Sequence, residues 1–155
     1  MSSRIKGVSL INTLAILREV LGGNRFQAVV STCPQETQQL IRRTLIAGEW
    51  IPLEVWAPFL HAIFDQVCGK DEQQLRRLLR AVCKRDFSTV YRQYVTQTSP
   101  HGVLDKAPAI WSAYFDSGTL VRAPEPDNVA EGAPITLQMR DLDTVHPIYA
   151  VAMHA

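Results

Sequence analysis

At 155 residues, with 46% apolar and 20% charged side chains, the chain has the size and composition of one globular domain able to bury a core, and a disordered tail is excluded. Its formal charge of +1 gives no global field of the kind that marks nucleic-acid or acidic-substrate binders. No segment has the apolar length of a membrane span.

The opening "MSSRIKGVSLINTLAILREVLGG" places Arg4 and Lys6 before an apolar run, as a signal peptide does. Ser9, Asn12 and Thr13 interrupt that run, however, and no small-residue cleavage site follows it. The spacing predicts instead a well-covered first helix over residues 8 to 21, apolar nearly all round and stopped by Gly22-Gly23. Asn24 then caps a short helix carrying Phe26, Val29 and Val30. A third helix has Pro34 in its first turn, carries Leu40, Ile41, Leu45 and Ile46, and ends at Gly48. A fourth follows from Leu53, Trp56, Phe59, Leu60, Ile63, Phe64 and Val67, with Gly69 as its C-cap. Pro58 either falls in its first turn or kinks it.

The strongest pattern runs from Asp71 to Gln97, with Leu75, Leu78, Leu79, Val82, Cys83, Phe87, Val90, Tyr91, Tyr94 and Val95 on one stripe. Such a helix would reach about 40 Å, against a radius of gyration of about 15 Å for a domain of this size, and would organise the whole fold. A last helix carries Ile110, Trp111, Tyr114 and Phe115 and ends at Gly118. "TLVRA" and "ITLQMR" then form a hairpin across the acidic loop "PEPDNVAEGAP", with Ile135, Leu137 and Met139 alternating inward. The pattern as a whole is α+β: N-terminal helices with one long central helix, then a small antiparallel hairpin or sheet, in a single domain over 1-155. The apolar end "DLDTVHPIYAVAMHA" is the kind that continues into a further element or packs on a partner.

In this order and spacing, "IKGVSLINTLAILREVLG", "GEWIPLEVWAPFLHAIF", "FSTVYRQYV" and above all "APAIWSAYFDSGTLV" resemble a large paralogous family of uncharacterised proteins known mainly from myxobacteria. That family is in turn distantly similar to the group of haem-nitric-oxide-binding, four-vinyl-reductase and transport-particle domains. The resemblance implies an α+β ligand-binding or interaction domain, and a further helix and strands beyond His146-Pro147. Haem is not implied, because the Tyr-x-Ser-x-Arg propionate clamp is absent.

Several constellations carry competing readings. Glu54, His61 and Asp65 share one side of a helix, either as part of a metal site or as a solvated flank. Arg76, Arg77, Arg80 and Lys84 form a basic stripe, either a surface for phosphate, anionic lipid or an acidic partner, or an ordinary solvated face. No helix-turn-helix or aromatic-basic interleaving points to specific nucleic-acid binding. The three cysteines, Cys33, Cys68 and Cys83, read as buried reduced thiols of a cytoplasmic protein, Cys68 and Cys83 on apolar helix faces. No nucleophile motif or phosphate loop is present, so no catalytic residue, cofactor or metal is expected. The aromatics Trp56, Phe59, Tyr91, Trp111 and Tyr114 form either a small-molecule pocket or ordinary core; Trp111 and Phe115 read as docking residues and Tyr114 as the one most readily placed in a pocket. The expected function is a non-catalytic sensory or regulatory domain that binds a small apolar or aromatic ligand, or a protein partner. The alternative is a homodimeric interaction scaffold without a pocket.

Overall fold

The computed structural model describes residues 3–89, 92, 100–122 and 136–140. A short strand, β1 (Arg4–Lys6), leads into α1 (Gly7–Ser31), followed by α2 (Gln35–Arg42), β2 (Trp50–Pro52) and α3 (Leu53–Gln66). After α4 (Glu72–Ser88) come α5 (Pro100–Asp105), α6 (Ala107–Tyr114), β3 (Thr119–Arg122) and β4 (Leu137–Arg140). The fold is α+β and mostly helical, with two antiparallel two-stranded ladders.

The hairpin of β3 and β4 pairs Thr119 with Arg140 and Leu120 with Met139. Along β4, Leu137 and Met139 are half-buried while Gln138 and Arg140 are exposed, the alternation that its apolar period requires. The other ladder is not expected from the sequence. Its strands are only three residues long, too short for a period of two to show. Ile5 faces Ile51, and both are buried in the core. On the opposite face Lys6 pairs with Trp50, its ammonium 3.8 Å from the ring centre, as a cation over an aromatic face. Phe115 makes an isolated bridge to Ile5, so β1 is flanked on both sides. Arg4 fixes that second flank: its backbone N–H donates to Asp116 Oδ1 at 2.6 Å, and its Nε–H to Oδ2 at 2.5 Å.

α1 is broken where expected. Gly22 has φ 72° and ψ 161°, a conformation closed to L side chains, and the helix resumes at once to bury Phe26, Val29 and Val30. Its first half is covered on one side only: Leu10, Leu14 and Leu17 are buried, while Val20 is 60% exposed. α2 ends at Arg42 rather than Gly48, which leaves Ile46 67% exposed in a loop that serves the backbone. The carbonyls of Glu49 and Ala47 accept the N–H groups of Gly7 and Val8 at 2.9 and 3.0 Å, satisfying two orphan donors at the start of α1. Arg43 braces that loop with two bonds to the Glu49 carboxylate, 2.9 and 2.7 Å. Pro58 lies within α3, beyond its first turn.

The long helix expected over Asp71–Gln97 is corrected to Glu72–Ser88, about 25 Å. It begins as its charge pattern predicts, with the Asp71 carboxylate capping the N–H groups of Gln73 and Gln74. It stops because Thr89 leaves helical geometry, at φ −116° and ψ −82°. The Ser88 and Thr89 hydroxyls both turn back to the Arg85 carbonyl at 2.8 Å, alongside the Thr89 N–H at 3.1 Å, so the last turn is closed on itself. Val90, Tyr91, Tyr94 and Val95 lie outside the described residues, as do the acidic loop and the apolar C-terminal segment. α6 ends at Tyr114, one residue before Phe115 turns extended; Gly118, with φ 71°, serves the turn into β3 instead. Among the described residues no helix is long and apolar enough to cross a membrane.

The core packs α1, α2, α3 and α4 around an aromatic centre, where Phe59 meets Phe26 edge-on at 5.8 Å and Trp56 at 5.2 Å. Gly7 is the tightest backbone approach in it, since a Cβ there would lie 2.2 Å from the Ile46 carbonyl oxygen. Gly7→Ala should therefore destabilise the fold by about 1–3 kcal/mol. Gly23→Ala, with open space around it, should be neutral or stabilising by up to about 1 kcal/mol. Urea denaturation of the two variants checks the contrast, and equal effects would contradict it.

Candidate functional site

Asp86 is the centre of the site. On α4 the apolar stripe runs Leu75, Leu79, Val82, at i, i+4 and i+7, and the next position on it is a carboxylate. Asp86 is accordingly only 8% exposed. Two other helices supply its hydrogen bonds. From α1, Asn12 Nδ2 donates to Oδ1 in a short contact. From α6, the Tyr114 hydroxyl donates to Oδ2 at 3.1 Å. Both donors are neutral, and among the described residues no basic side chain pairs with this carboxylate. Burial pushes the Asp86 carboxyl above its ordinary range, and the bonds from Asn12 and Tyr114 oppose that shift without cancelling it.

The carboxylate opens onto a cleft of about 240 Å³. Ile5 of β1 and Ser9 and Thr13 of α1 form one side; the Thr13 hydroxyl is satisfied by the Ser9 carbonyl at 2.8 Å. Trp56 and Leu60, one helical turn apart on α3, form the back. Leu79, Val82 and Cys83 accompany Asp86 on α4. Trp111, Tyr114 and Phe115 close the remaining side. Trp111 and Phe115 stack at 4.1 Å with 18° between their planes, and the indole N–H donates to the Ser117 carbonyl at 3.0 Å. That wall is thus apolar, and its indole N–H is satisfied within the chain. Among the described residues, Asp86 is the one carboxylate that lines the cleft.

The structure divides the candidate aromatics. Trp56, Trp111 and Tyr114 line the cleft. Phe59 does not: it is fully buried, wedged between Phe26 and Trp56 in the core. Tyr91 lies outside the described residues. Asp86 and Asn12 escape the sequence reading, although one signal was available: an acidic residue in phase with Leu75, Leu79 and Val82 has to be buried if the stripe is.

The other candidates are dispersed. Arg77, Arg80 and Lys84 are exposed on the outer side of α4, and Arg76 is half-buried beside Glu72 at 3.5 Å. Glu54 and Asp65 are exposed and His61 half-buried along α3; among the described residues no group of three or more His, Cys, Asp or Glu side chains converges on one point. All three thiols are free. Cys33 and Cys68 are buried, Cys68 in the turn after α3 rather than on a helix; Cys83 is corrected to exposed, at the cleft rim. No family model, curated protein or solved structure matches the chain. The class of protein is therefore defined by fold and site alone: an α+β domain with an apolar, aromatic-walled cleft built around one buried, neutrally hydrogen-bonded carboxylate.

The direction of the Asp86 shift fixes a pH dependence. Between the ordinary and the raised value the folded state holds a proton that the unfolded state has lost. Asp86's contribution to stability therefore falls as pH rises through that window and is constant above it. Asp86→Asn has no such titration. The stability of the variant relative to the unmodified chain should rise from about pH 4 to about pH 7. Paired urea denaturations at the two pH values measure the difference, and a flat or opposite trend would count against an unpaired buried carboxylate.

Proposed function

We propose that this chain is a non-catalytic sensory or regulatory domain that binds a small apolar or aromatic ligand in the cleft around Asp86. One observation carries the reading: a cleft with walls from five separate elements leaves aromatic and aliphatic side chains facing an unfilled space, with few polar groups converging on it. Sites for small organic ligands have this make-up. A volume of about 240 Å³ exceeds the roughly 150 Å³ apolar cavity that is known to accept benzene. The resemblance to the myxobacterial family and, through it, to ligand-binding α+β domains supports the same reading. A cytoplasmic location fits three free cysteines.

A second reading has its own support. A shallow groove of about 260 Å³ is lined by Ile11, Leu14, Ile41 and Leu45 together with Arg18 and Arg43, and Ile46 of the same loop as Leu45 is 67% exposed. An interaction scaffold, homodimeric or bound to another protein, would use such a surface.

Thermal denaturation against a panel of small aromatic and aliphatic compounds tests the first reading. A compound at a hundred times its Kd should stabilise the chain by about 2.7 kcal/mol. Tyr114→Ala should abolish that response while costing no more than an ordinary cavity, about 2–4 kcal/mol, and Ile46→Ser should leave it intact. A response unchanged in Tyr114→Ala would remove the cleft from consideration. A native mass of a dimer, lost in Ile46→Ser, would favour the scaffold.

A further inference from the structure

We infer that the cleft selects an organic cation: a protonated amine carried on an aromatic or branched apolar body, with its ammonium on Asp86. The inference rests on the cleft being a ligand site, and it names the chemistry of the occupant.

The floor and the walls make different demands. Walls such as Trp56, Trp111 and Phe115 reward an apolar ring or branched chain, because burying apolar surface releases water. The floor is a carboxylate, and a carboxylate facing apolar walls is unstable as an anion unless something cationic meets it. The described residues meet it only in part. Asn12 and Tyr114 each donate one hydrogen bond, one to each oxygen. They orient the carboxylate without neutralising it, and each oxygen keeps a further lone pair. No cation of the described residues reaches it: the neighbouring Arg85 is turned away to Glu19, at 2.9 Å. The site therefore presents an oriented carboxylate with free lone pairs beside aromatic walls. An ammonium N–H supplies the missing charge and a charge-assisted hydrogen bond, and the faces of nearby rings favour the same cation. A neutral ligand would leave the carboxylate charged and uncompensated. An anionic one would set two like charges together in a poorly solvated space.

The ordinary unmodified chain suffices for the test, with three probes that share one indole body and a two-carbon side chain. Tryptamine carries an ammonium, tryptophol a hydroxyl and indole-3-acetate a carboxylate. Isothermal titration near neutral pH should give tryptamine about tenfold to a hundredfold tighter binding than tryptophol, the range expected for one charged hydrogen bond, with indole-3-acetate the weakest. Asp86→Asn should reduce tryptamine to the affinity of tryptophol, and its far-ultraviolet circular dichroism should match the unmodified chain. If amine and alcohol bind equally, the cation assignment is wrong while the cleft remains a ligand site. If none of the three binds while a neutral compound of the thermal-denaturation panel does, the cation assignment falls and the cleft remains a ligand site; if nothing in either set binds, the ligand-site reading fails first. If tryptamine is preferred equally by Asp86→Asn, the charge that recognises it lies elsewhere and the assignment to Asp86 is overturned.

Discussion

A single carboxylate constrains how this domain is put together. Asp86 sits where the α4 stripe would otherwise bury a fourth apolar residue, and a group of that kind cannot be taken out of water without hydrogen bonds. Its two donors come from α1 and α6, 74 and 28 residues away in the chain. The requirement to satisfy one side chain therefore sets the relative placement of three helices. Helices drawn around a charged group, with aromatic side chains as the remaining walls, leave the cleft that the proposed function uses. The feature that costs stability is thus the one that creates the site.

The second constraint is the anchoring of β1. Three residues of strand would be marginal alone, but β1 is held on one side by β2 and on the other by Phe115 and the Arg4–Asp116 pair. Desolvation raises the Asp116 carboxyl, but the hydrogen bonds and charge of Arg4 together outweigh it and hold the group below its usual range. Through this contact the N-terminus positions the end of α6, and with it Trp111, Tyr114 and Phe115. The cleft wall is consequently built from segments more than 100 residues apart in the chain. Ile5, on the inner face of β1, touches the core, the bridge to Phe115 and the cleft at once.

Much of this was legible in the sequence where a period repeated often enough to be read. The apolar stripe of α3, the start of α4 at Asp71 and the pairing of β3 with β4 all follow from local spacing and capping chemistry. The break at Gly22 follows from glycine alone. Other features depend on competition between local and distant partners, which spacing does not report. α4 ends where the Thr89 backbone leaves helical geometry, although the apolar period continues in phase through Val90 and Tyr91. β1 and β2 exist because they find each other 46 residues apart at their central pair, Ile5 and Ile51. Of the candidate pocket, Trp56, Trp111 and Tyr114 line the cleft, while Phe59 and Trp56 share the same helix face and only packing against Phe26 separates their roles. Asp86 went unread because a charge within a basic, amphipathic helix invites assignment to the solvent side; its phase with Leu75, Leu79 and Val82 says otherwise.

The most direct measurement is a carbon-13 NMR titration of the Asp86 side-chain carboxyl in the unmodified chain. An uncompensated carboxylate at the floor of an apolar cleft should titrate above the ordinary aspartate range, and its resonance should respond when Tyr114 is replaced by Phe. A midpoint at or below the ordinary range would contradict the account, because desolvation would then not dominate the surroundings of Asp86.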